Sequence, residues 1–160
     1  MFNKESIIRA ITIDDDIAKI SILEVPDQPG IAFRLFQAIA KENIRVESIV
    51  QNINRQKVND ITFTVSQDQV KEAFELSNEY ANEVGAQKVV LDKGVARLSV
   101  IGSGMVANAN VAAKFFKALY DIGVNIQTIS TSEVKFSCVI DKSMATKALK
   151  QLYKEFEISE

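Results

Sequence analysis

The spacing of apolar residues changes repeatedly along this chain. Segments in which every second residue is apolar predict strands, and segments with apolar residues three and four positions apart predict helices. Residues 18–23 alternate, with Ala18, Ile20 and Ile22 apolar, a pattern typical of a strand with one buried face. Within residues 31–41 the apolar positions fall three and four residues apart, as on the buried face of an amphipathic helix. The same criteria predict further strands at residues 46–50, 61–65, 87–91, 96–101, 126–130 and 134–140, and further helices at residues 66–84, 111–120 and 144–156.

Local signals mark the ends of two of these elements. Residues 24–30 contain both prolines of the chain and a glycine, so the first strand is predicted to end at residue 23. Ser66 and Gln69 have the spacing of a capping box, which predicts that the second helix begins at Ser66. Gly85 is well placed to end that helix, because glycine readily adopts a left-handed backbone conformation.

The pattern of the first half of the chain recurs in the second half. Residues 11–22 (ITIDDDIAKISI) match residues 89–100 (VVLDKGVARLSV), an offset of 78 residues. Residues 32–39 then match residues 112–119 at an offset of 80. The offset falls to 75 where Ile61 corresponds to Phe136, so the second copy has a shorter hairpin loop. The chain therefore consists of two copies of one unit.

Each copy follows the order βαββα, and a further strand follows in the first copy, which predicts an α+β fold of two ferredoxin-like domains of the order βαββαβ. Each domain is expected to have a four-stranded antiparallel sheet with two helices on one face. The first domain is assigned to residues 17–93 and the second to residues 94–160. The second copy lacks a final strand, and we expect the N-terminal strand at residues 6–14 to complete its sheet. The alternatives are that this strand extends the first sheet or pairs with another chain.

Composition narrows the chemistry that the chain can perform. The formal net charge is −2, and Lys and Arg are spread along the sequence without the basic stripe that nucleic-acid binding requires. The chain has no histidine, so the usual histidine-based metal sites and catalytic triads cannot be assembled. The single cysteine, Cys138, lies in an alternating apolar segment and is expected to be buried and inert. No catalytic or metal-binding residue is predicted, and the chain is interpreted as a binding protein.

The sequence also lacks the signals of membrane insertion or export. No apolar run approaches the roughly 18 residues that span a membrane. The N-terminal segment MFNKESII lacks the long apolar core of a signal peptide. We therefore expect a cytoplasmic protein with no membrane partner.

The strongest candidate site is the segment VPDQPGI, which leads from a predicted strand into a helix. The first N–H groups of a helix have no partner within it, so Gly30, Ile31 and Ala32 are expected to present donors to a carboxylate. Asp27 is placed to meet an ammonium group, and both features together suit a free α-amino acid. The alternative is a plain turn in which Asp27 caps the helix.

Polar residues also cluster where the second strand of each copy ends. These are Gln51 and Asn52 in the first copy and residues 130–133 in the second. Side chains there can orient a small polar ligand, or they can simply solvate a hairpin. Asn125 is either a turn residue or a ligand contact.

Several motifs together resemble the tandem ACT domains of aspartate kinase: VPDQPG, VQN, DITFTV, GSGM and ISTSE. The resemblance covers about residues 11–156 and implies two ACT domains that sense threonine, lysine or both. It implies feedback inhibition of the enzyme that phosphorylates aspartate at the start of lysine, threonine and methionine biosynthesis. The kinase catalytic domain is absent from this sequence, so the resemblance implies a separate regulatory subunit or an excised C-terminal fragment. ATP and Mg²⁺ would belong to that catalytic partner, and no cofactor is expected in this chain.

The resemblance also implies a homodimer, in which the effector binds between ACT domains of two chains. Carried over to this sequence, the site would consist of Asp27, Gly30, Ile31, Ala32 and Gln51 from one chain and Asn125 and Ile126 from the other. A second effector region would involve Met105, Thr131, Ser132 and Glu133. The family commonly has Pro-Gly where this chain has Ala109 and Asn110, which favours the first-copy loop as the binding site.

Two other functions are alternatives to this interpretation. An ACT-type regulatory subunit of another amino-acid biosynthetic enzyme, such as acetolactate synthase, would bind valine instead. A ferredoxin-like RNA-binding module would need exposed aromatic side chains on its central strands and a basic sheet surface. Ile20, Ile22, Ile61 and Phe63 of the predicted sheet offer too little of either.

Overall fold

The computed structural model of the chain describes residues 8–53, 56–104 and 109–158. It divides the chain into two compact units. One unit, here the first unit, consists of Asp16–Lys93. The other, the second unit, combines the N-terminal segment up to Asp15 with the chain from Gly94 onward.

Eight strands and four α-helices follow one another along the described residues. In chain order they are β1 (Ile8–Asp14), β2 (Ile17–Pro26), α1 (Ile31–Lys41), β3 (Val46–Ile53), β4 (Val58–Ser66), α2 (Val70–Val84), β5 (Lys88–Asp92), β6 (Val95–Gly102), α3 (Ala109–Asp121), β7 (Thr128–Thr131), β8 (Lys135–Asp141) and α4 (Ala145–Glu155). A short 3₁₀ turn precedes α2 at Gln67–Gln69 and α4 at Lys142–Met144.

The strands form two separate four-stranded antiparallel sheets, which confirms the predicted α+β, ferredoxin-like fold class. The first sheet has the order β3-β4-β2-β5, and the second has the order β1-β6-β8-β7. The two central strands are β2 and β4 in the first sheet and β6 and β8 in the second. These are the first and third strands of each βαββ segment, as the split βαβ arrangement requires.

The N-terminal strand belongs to the sheet of the second unit. β1 pairs antiparallel with β6, with Ile11 opposite Val100 and Asp14 opposite Arg97. Ile11 is buried in the core of that unit, and Tyr153 on α4 donates a hydrogen bond of 3.2 Å to its carbonyl oxygen. The described part of this strand begins at Ile8, so residues 6 and 7 of the predicted strand lie outside the described residues.

Alternate residues of the central strands build the core of the first unit. Ile20 and Ile22 of β2 and Ile61 and Phe63 of β4 are almost completely buried, and the ring of Phe63 meets Phe36 of α1 edge-on at 5.9 Å. Burying a side chain of this size contributes about 1.5–3 kcal/mol to folding. The side chains at these central positions therefore lie in the core, whereas an RNA-binding sheet has exposed aromatic side chains on its central strands.

Cys138 lies in the core of the second unit, on β8. Its side chain is 1% exposed, and burial raises the pKa of its thiol to about 12. The thiol therefore stays protonated at neutral pH, and only a thiolate is an effective nucleophile.

The predicted capping box at Ser66 is wrong. The Ser66 hydroxyl bonds the carboxylate of Asp68, and the chain makes a 3₁₀ turn before α2 begins at Val70. The Gln69 side chain instead accepts from the N–H of Arg45 and donates to the carbonyl of Asn43, at 3.1 Å each. Because those backbone groups follow the end of α1, Gln69 contributes to tertiary structure rather than to its own helix. Gly85 does end α2, with φ of 74°.

The first strand of the first unit also extends beyond its predicted end at residue 23. β2 continues to Pro26 through a bulge, where Glu24 has φ of 55° and the register with β4 shifts between Ile22 and Val25. The N–H of Glu24 donates to a carboxylate oxygen of Asp60 at 3.0 Å. The extra residue of the bulge resets the alternation, so Val25 is buried and lies opposite Asn59 of β4.

Candidate functional site

The candidate loop of the first unit joins β2 to α1 and is held by backbone hydrogen bonds. The N–H of Asp27 donates to the carbonyl of Lys57 at 3.1 Å, and that of Gln28 donates to the carbonyl of Pro26 at 3.1 Å. Gly30 precedes α1 with φ of 82°, a left-handed conformation that strains any residue with a Cβ atom. Together these features turn the chain sharply from the end of β2 into the helix.

Asp27 does not cap the helix, so that alternative for its role is wrong. α1 has no side-chain cap at its N-terminus. The Asp27 carboxylate instead accepts a hydrogen bond of 3.2 Å from Nδ2 of Asn59, and no described residue donates to its second oxygen. The Asp27 side chain is exposed, so this second oxygen is available to a ligand.

Two of the three expected backbone donors remain available at the start of α1. The N–H of Ile31 donates to the carbonyl of Gln28 at 3.2 Å and is therefore already used within the loop. Among the described residues, none accepts a hydrogen bond from the N–H groups of Gly30 and Ala32. These two groups lie at the positive end of the helix dipole, where an anion is stabilised.

Tyr80 of α2 is hydrogen-bonded to the first turn of α1. Its hydroxyl donates a buried hydrogen bond of 2.7 Å to the carbonyl oxygen of Ile31. Burial raises the pKa of Tyr80 above its ordinary value, although the charge of Arg34 nearby opposes this. The phenol therefore remains a hydrogen-bond donor at neutral pH, and it ties the two helices of the first unit together.

Asn59 is the residue at this site that the sequence did not predict. It is 1% exposed, and its Oδ1 has no hydrogen-bond partner among the described residues. A buried polar atom left unpaired costs about 1–3 kcal/mol. The signal was present in the strand alternation, since Asn59 has the same parity as Ile61 and Phe63 and therefore belongs to the buried face.

Gln51 lies on β3, the edge strand beyond β4. It is opposite Ile61, and Ile53 two residues later is opposite Asn59. Residues directly opposite one another in an antiparallel pair point to the same face, so the side chain of Gln51 is on the helix-facing side of the sheet. The register thus places Gln51 on the face of the sheet that carries Asn59, close to the end where the loop lies.

Asn125 and Ile126 belong to the second unit, in the segment between α3 and β7. Asn125 is exposed, whereas Ile126 is partly buried and packs against the core of that unit. These two residues are therefore in a different unit from Asp27, Gly30, Ile31 and Ala32.

The second candidate region lies where β7 ends. Thr131 is the last residue of β7, and Ser132 and Glu133 form the exposed connection to β8. The N–H of Ser132 donates to the carbonyl of Lys135 at 2.8 Å, as in a tight hairpin. Met105, the remaining residue of this region, lies outside the described residues.

No group of three or more His, Cys, Asp or Glu side chains among the described residues is arranged to hold a metal ion. No helix in the described ranges is both long and apolar enough to cross a membrane.

Comparison with known proteins identifies both units. Family models described as ACT domain match residues 19–76 and residues 98–156. The regulatory subunit of aspartate kinase from Thermus thermophilus is 34% identical, with a TM-score of 0.90 over 94% of this chain and 99% of that one. The chain belongs to the family of aspartate kinase regulatory ACT domains.

Further matches are consistent with this membership. A crystal structure of aspartokinase alpha and beta subunits contains a chain 37% identical to this one, with a TM-score of 0.87 over 94% of this chain and 99% of that one. The aspartate kinase of Pseudomonas fluorescens is 40% identical over 155 residues, which are 97% of this chain and 38% of that protein. The chain thus spans little more than a third of the length of the curated aspartate kinases that it matches.

Proposed function

We propose that these two ACT domains are the feedback sensor of an aspartate kinase and bind threonine, lysine or both at the β2–α1 loop. The observation that supports the proposal is that one loop carries the exposed carboxylate of Asp27 together with the N–H groups of Gly30 and Ala32, which have no hydrogen-bond acceptor among the described residues. A free α-amino acid has an ammonium group and a carboxylate on one carbon atom. The loop offers a partner for each.

The electrostatics of the loop favour this orientation of the ligand. The ligand carboxylate binds at the N-terminus of α1, where the helix dipole and the two N–H groups act together. The ammonium group binds the exposed oxygen of Asp27 in a charge-assisted hydrogen bond. Gln51, on the helix-facing side of β3, contacts the ligand side chain and contributes to the choice between effectors.

A second chain completes the site in this proposal. Asn125 and Ile126 are contributed by the second unit of a partner, so the functional assembly is a homodimer formed through ACT domains. Exposed apolar side chains on the edge strands support such an interface. Ile49 and Ile53 on β3 are 53% and 74% exposed, and Ile129 on β7 is 41% exposed. An unpaired apolar edge is a surface that proteins usually cover.

Inhibition follows from differential binding. An effector that binds only one arrangement of the paired ACT domains shifts the catalytic partner toward its less active state. That partner is a catalytic domain or subunit of aspartate kinase, and it holds ATP and Mg²⁺ for phosphorylation of aspartate. This chain supplies the sensor.

Ligand-dependent thermal unfolding tests the proposal on the chain itself. A ligand present at a hundred times its dissociation constant stabilises a protein by about 2.7 kcal/mol. We expect threonine, lysine or both at millimolar concentration to raise the melting temperature, and valine to serve as the comparison amino acid. Equal melting temperatures with and without threonine and lysine would contradict the sensor function, and a shift with valine alone would assign the chain to a different effector.

A further inference from the structure

Asn59 combines two features that a purely structural residue rarely shows together. Its side chain is 1% exposed, yet its Oδ1 has no partner in the described part of the chain. Its Nδ2 makes a hydrogen bond with Asp27, the carboxylate to which we assign the ligand ammonium group. A buried amide whose oxygen atom has no hydrogen-bond partner among the described residues calls for a functional explanation.

The orientation of this amide is fixed by its neighbour. A carboxylate oxygen only accepts hydrogen bonds, so the NH₂ group of Asn59 must face Asp27. The reverse orientation would place two acceptor oxygens against each other. Oδ1 of Asn59 is consequently turned away from Asp27.

We propose that Asn59 is a positioning residue, which holds Asp27 in the conformation that receives the ligand ammonium group. The inference rests on the proposed function and adds a residue to that site. Asn59 donates a hydrogen bond to one carboxylate oxygen of Asp27, and the backbone N–H of Asp27 donates to the carbonyl of Lys57. The other carboxylate oxygen is then presented in a fixed direction, and the ligand need not order the side chain on binding.

The second unit has no buried polar residue at the position that corresponds to Asn59. With the offset of 75 that relates β4 to β8, Asn59 corresponds to Val134. Val134 is 56% exposed, and its carbonyl accepts from the N–H of Gly102. The second unit therefore buries no side chain at this position, and the buried amide that contacts the loop is a feature of the first unit.

The variant Asn59→Val separates a positioning role from a structural one. It removes the donor to Asp27 and, at the same time, the unpaired buried oxygen. We expect the dissociation constant for threonine or lysine, measured by calorimetry on the full chain, to rise about tenfold, as for the loss of a hydrogen bond to a charged group. We expect the melting temperature without ligand to stay the same or to rise.

Thr64→Val is the matched control on the same strand. Thr64 is 1% exposed, and its hydroxyl donates a hydrogen bond of 2.9 Å to the carbonyl of Glu47. The isosteric change should lower the melting temperature and leave the dissociation constant within about twofold, because an opposite parity places Thr64 on the other face of the sheet from Asn59. The two variants are thus predicted to change affinity and stability in opposite ways.

A double-mutant cycle with Asp27→Ala tests whether Asn59 acts through Asp27. In the Asp27→Ala background, Asn59→Val should leave the dissociation constant unchanged within about twofold. Additive losses of affinity in the double variant would overturn the inference. Wild-type affinity in Asn59→Val would also overturn it, and so would a fall of both affinity and melting temperature in that variant. Absence of binding to the wild-type chain would overturn the proposed function and the inference with it.

Discussion

Single residues hold the first-unit loop in the shape that its proposed ligand requires. Gly30 supplies the left-handed turn into α1, Asn59 holds the carboxylate of Asp27, and Tyr80 binds the carbonyl of Ile31. Each contact fixes a different backbone or side-chain group, so the loop is ordered before a ligand arrives. Such preorganisation lowers the entropy that binding must offset.

Gly30→Ala tests the importance of this turn, with Gly85→Ala as its control. Both glycines have left-handed backbone, with φ of 82° and 74°, and both have open space where a Cβ atom would lie. Each substitution should therefore lower the free energy of unfolding by about 1–2 kcal/mol. Only Gly30→Ala should also weaken amino-acid binding in a calorimetric titration, because Gly30 lies in the loop and offers one of its N–H donors, whereas Gly85 follows α2 and is not part of the loop. Equal affinity in the two variants would contradict a ligand site at the start of α1.

At the scale of whole elements, period and repeat predicted most of the fold. Alternation identified the central strands, the three-and-four spacing identified α1, and the truncated second copy predicted that the N-terminal strand joins the second sheet. Local sequence patterns could not predict hydrogen bonds between residues that are far apart in the chain. Gln69 bonds the backbone after α1 instead of its own helix, and the bulge at Glu24 shifts Val25 into the core opposite Asn59.

The candidate site was predictable to a lesser extent than the fold. The turn chemistry of residues 25–31 pointed to the loop because proline, aspartate and glycine have strong local preferences. The internal use of the Ile31 N–H and the contact between Asn59 and Asp27 depend on residues brought together by folding. No local spacing relates positions 27 and 59, so their contact was missed.

Ile11→Ala tests the contribution of β1 to the second unit. Ile11 is 5% exposed in that core, and its replacement by alanine should lower the free energy of unfolding by about 2–4 kcal/mol. Hydrogen exchange should accelerate at the amides of β6, the partner of β1. Thr12→Ala changes the exposed neighbour on the same strand and should leave both measurements nearly unchanged. Unaltered exchange in β6 of Ile11→Ala would contradict the pairing.

At the scale of the whole molecule, the chain is a pair of ACT domains whose loops have diverged. The first unit has the Asp27, Gly30 and Asn59 arrangement, whereas the second has Val134 at the position of Asn59. In the proposed dimer, the loop of one chain meets Asn125 and Ile126 of the other. In that proposed dimer, each complete effector site combines the loop of one chain with the Asn125 segment of the other.

Ile53→Lys tests the proposed interface along the β3 edge. Ile53 is 74% exposed on this edge strand, and a lysine there should disfavour pairing with a second chain. Sedimentation velocity should show a shift from dimer to monomer, with weaker effector binding. Val90→Lys is the matched control, since Val90 is 41% exposed on β5, the opposite edge of the same sheet. An unchanged dimer in Ile53→Lys would exclude this edge as the interface.

The most direct test of the sensor function is calorimetric titration of the wild-type chain and of Asp27→Ala with threonine and with lysine. We expect saturable binding of at least one of the two amino acids by the wild-type chain. In Asp27→Ala the affinity should fall by roughly tenfold or more, because the carboxylate that meets the ammonium group is lost. The variant should remain folded, with a free energy of unfolding lower by about 1–3 kcal/mol, because Nδ2 of the buried Asn59 loses its partner. Equal affinity in the variant, or no heat of binding with either amino acid, would contradict the account.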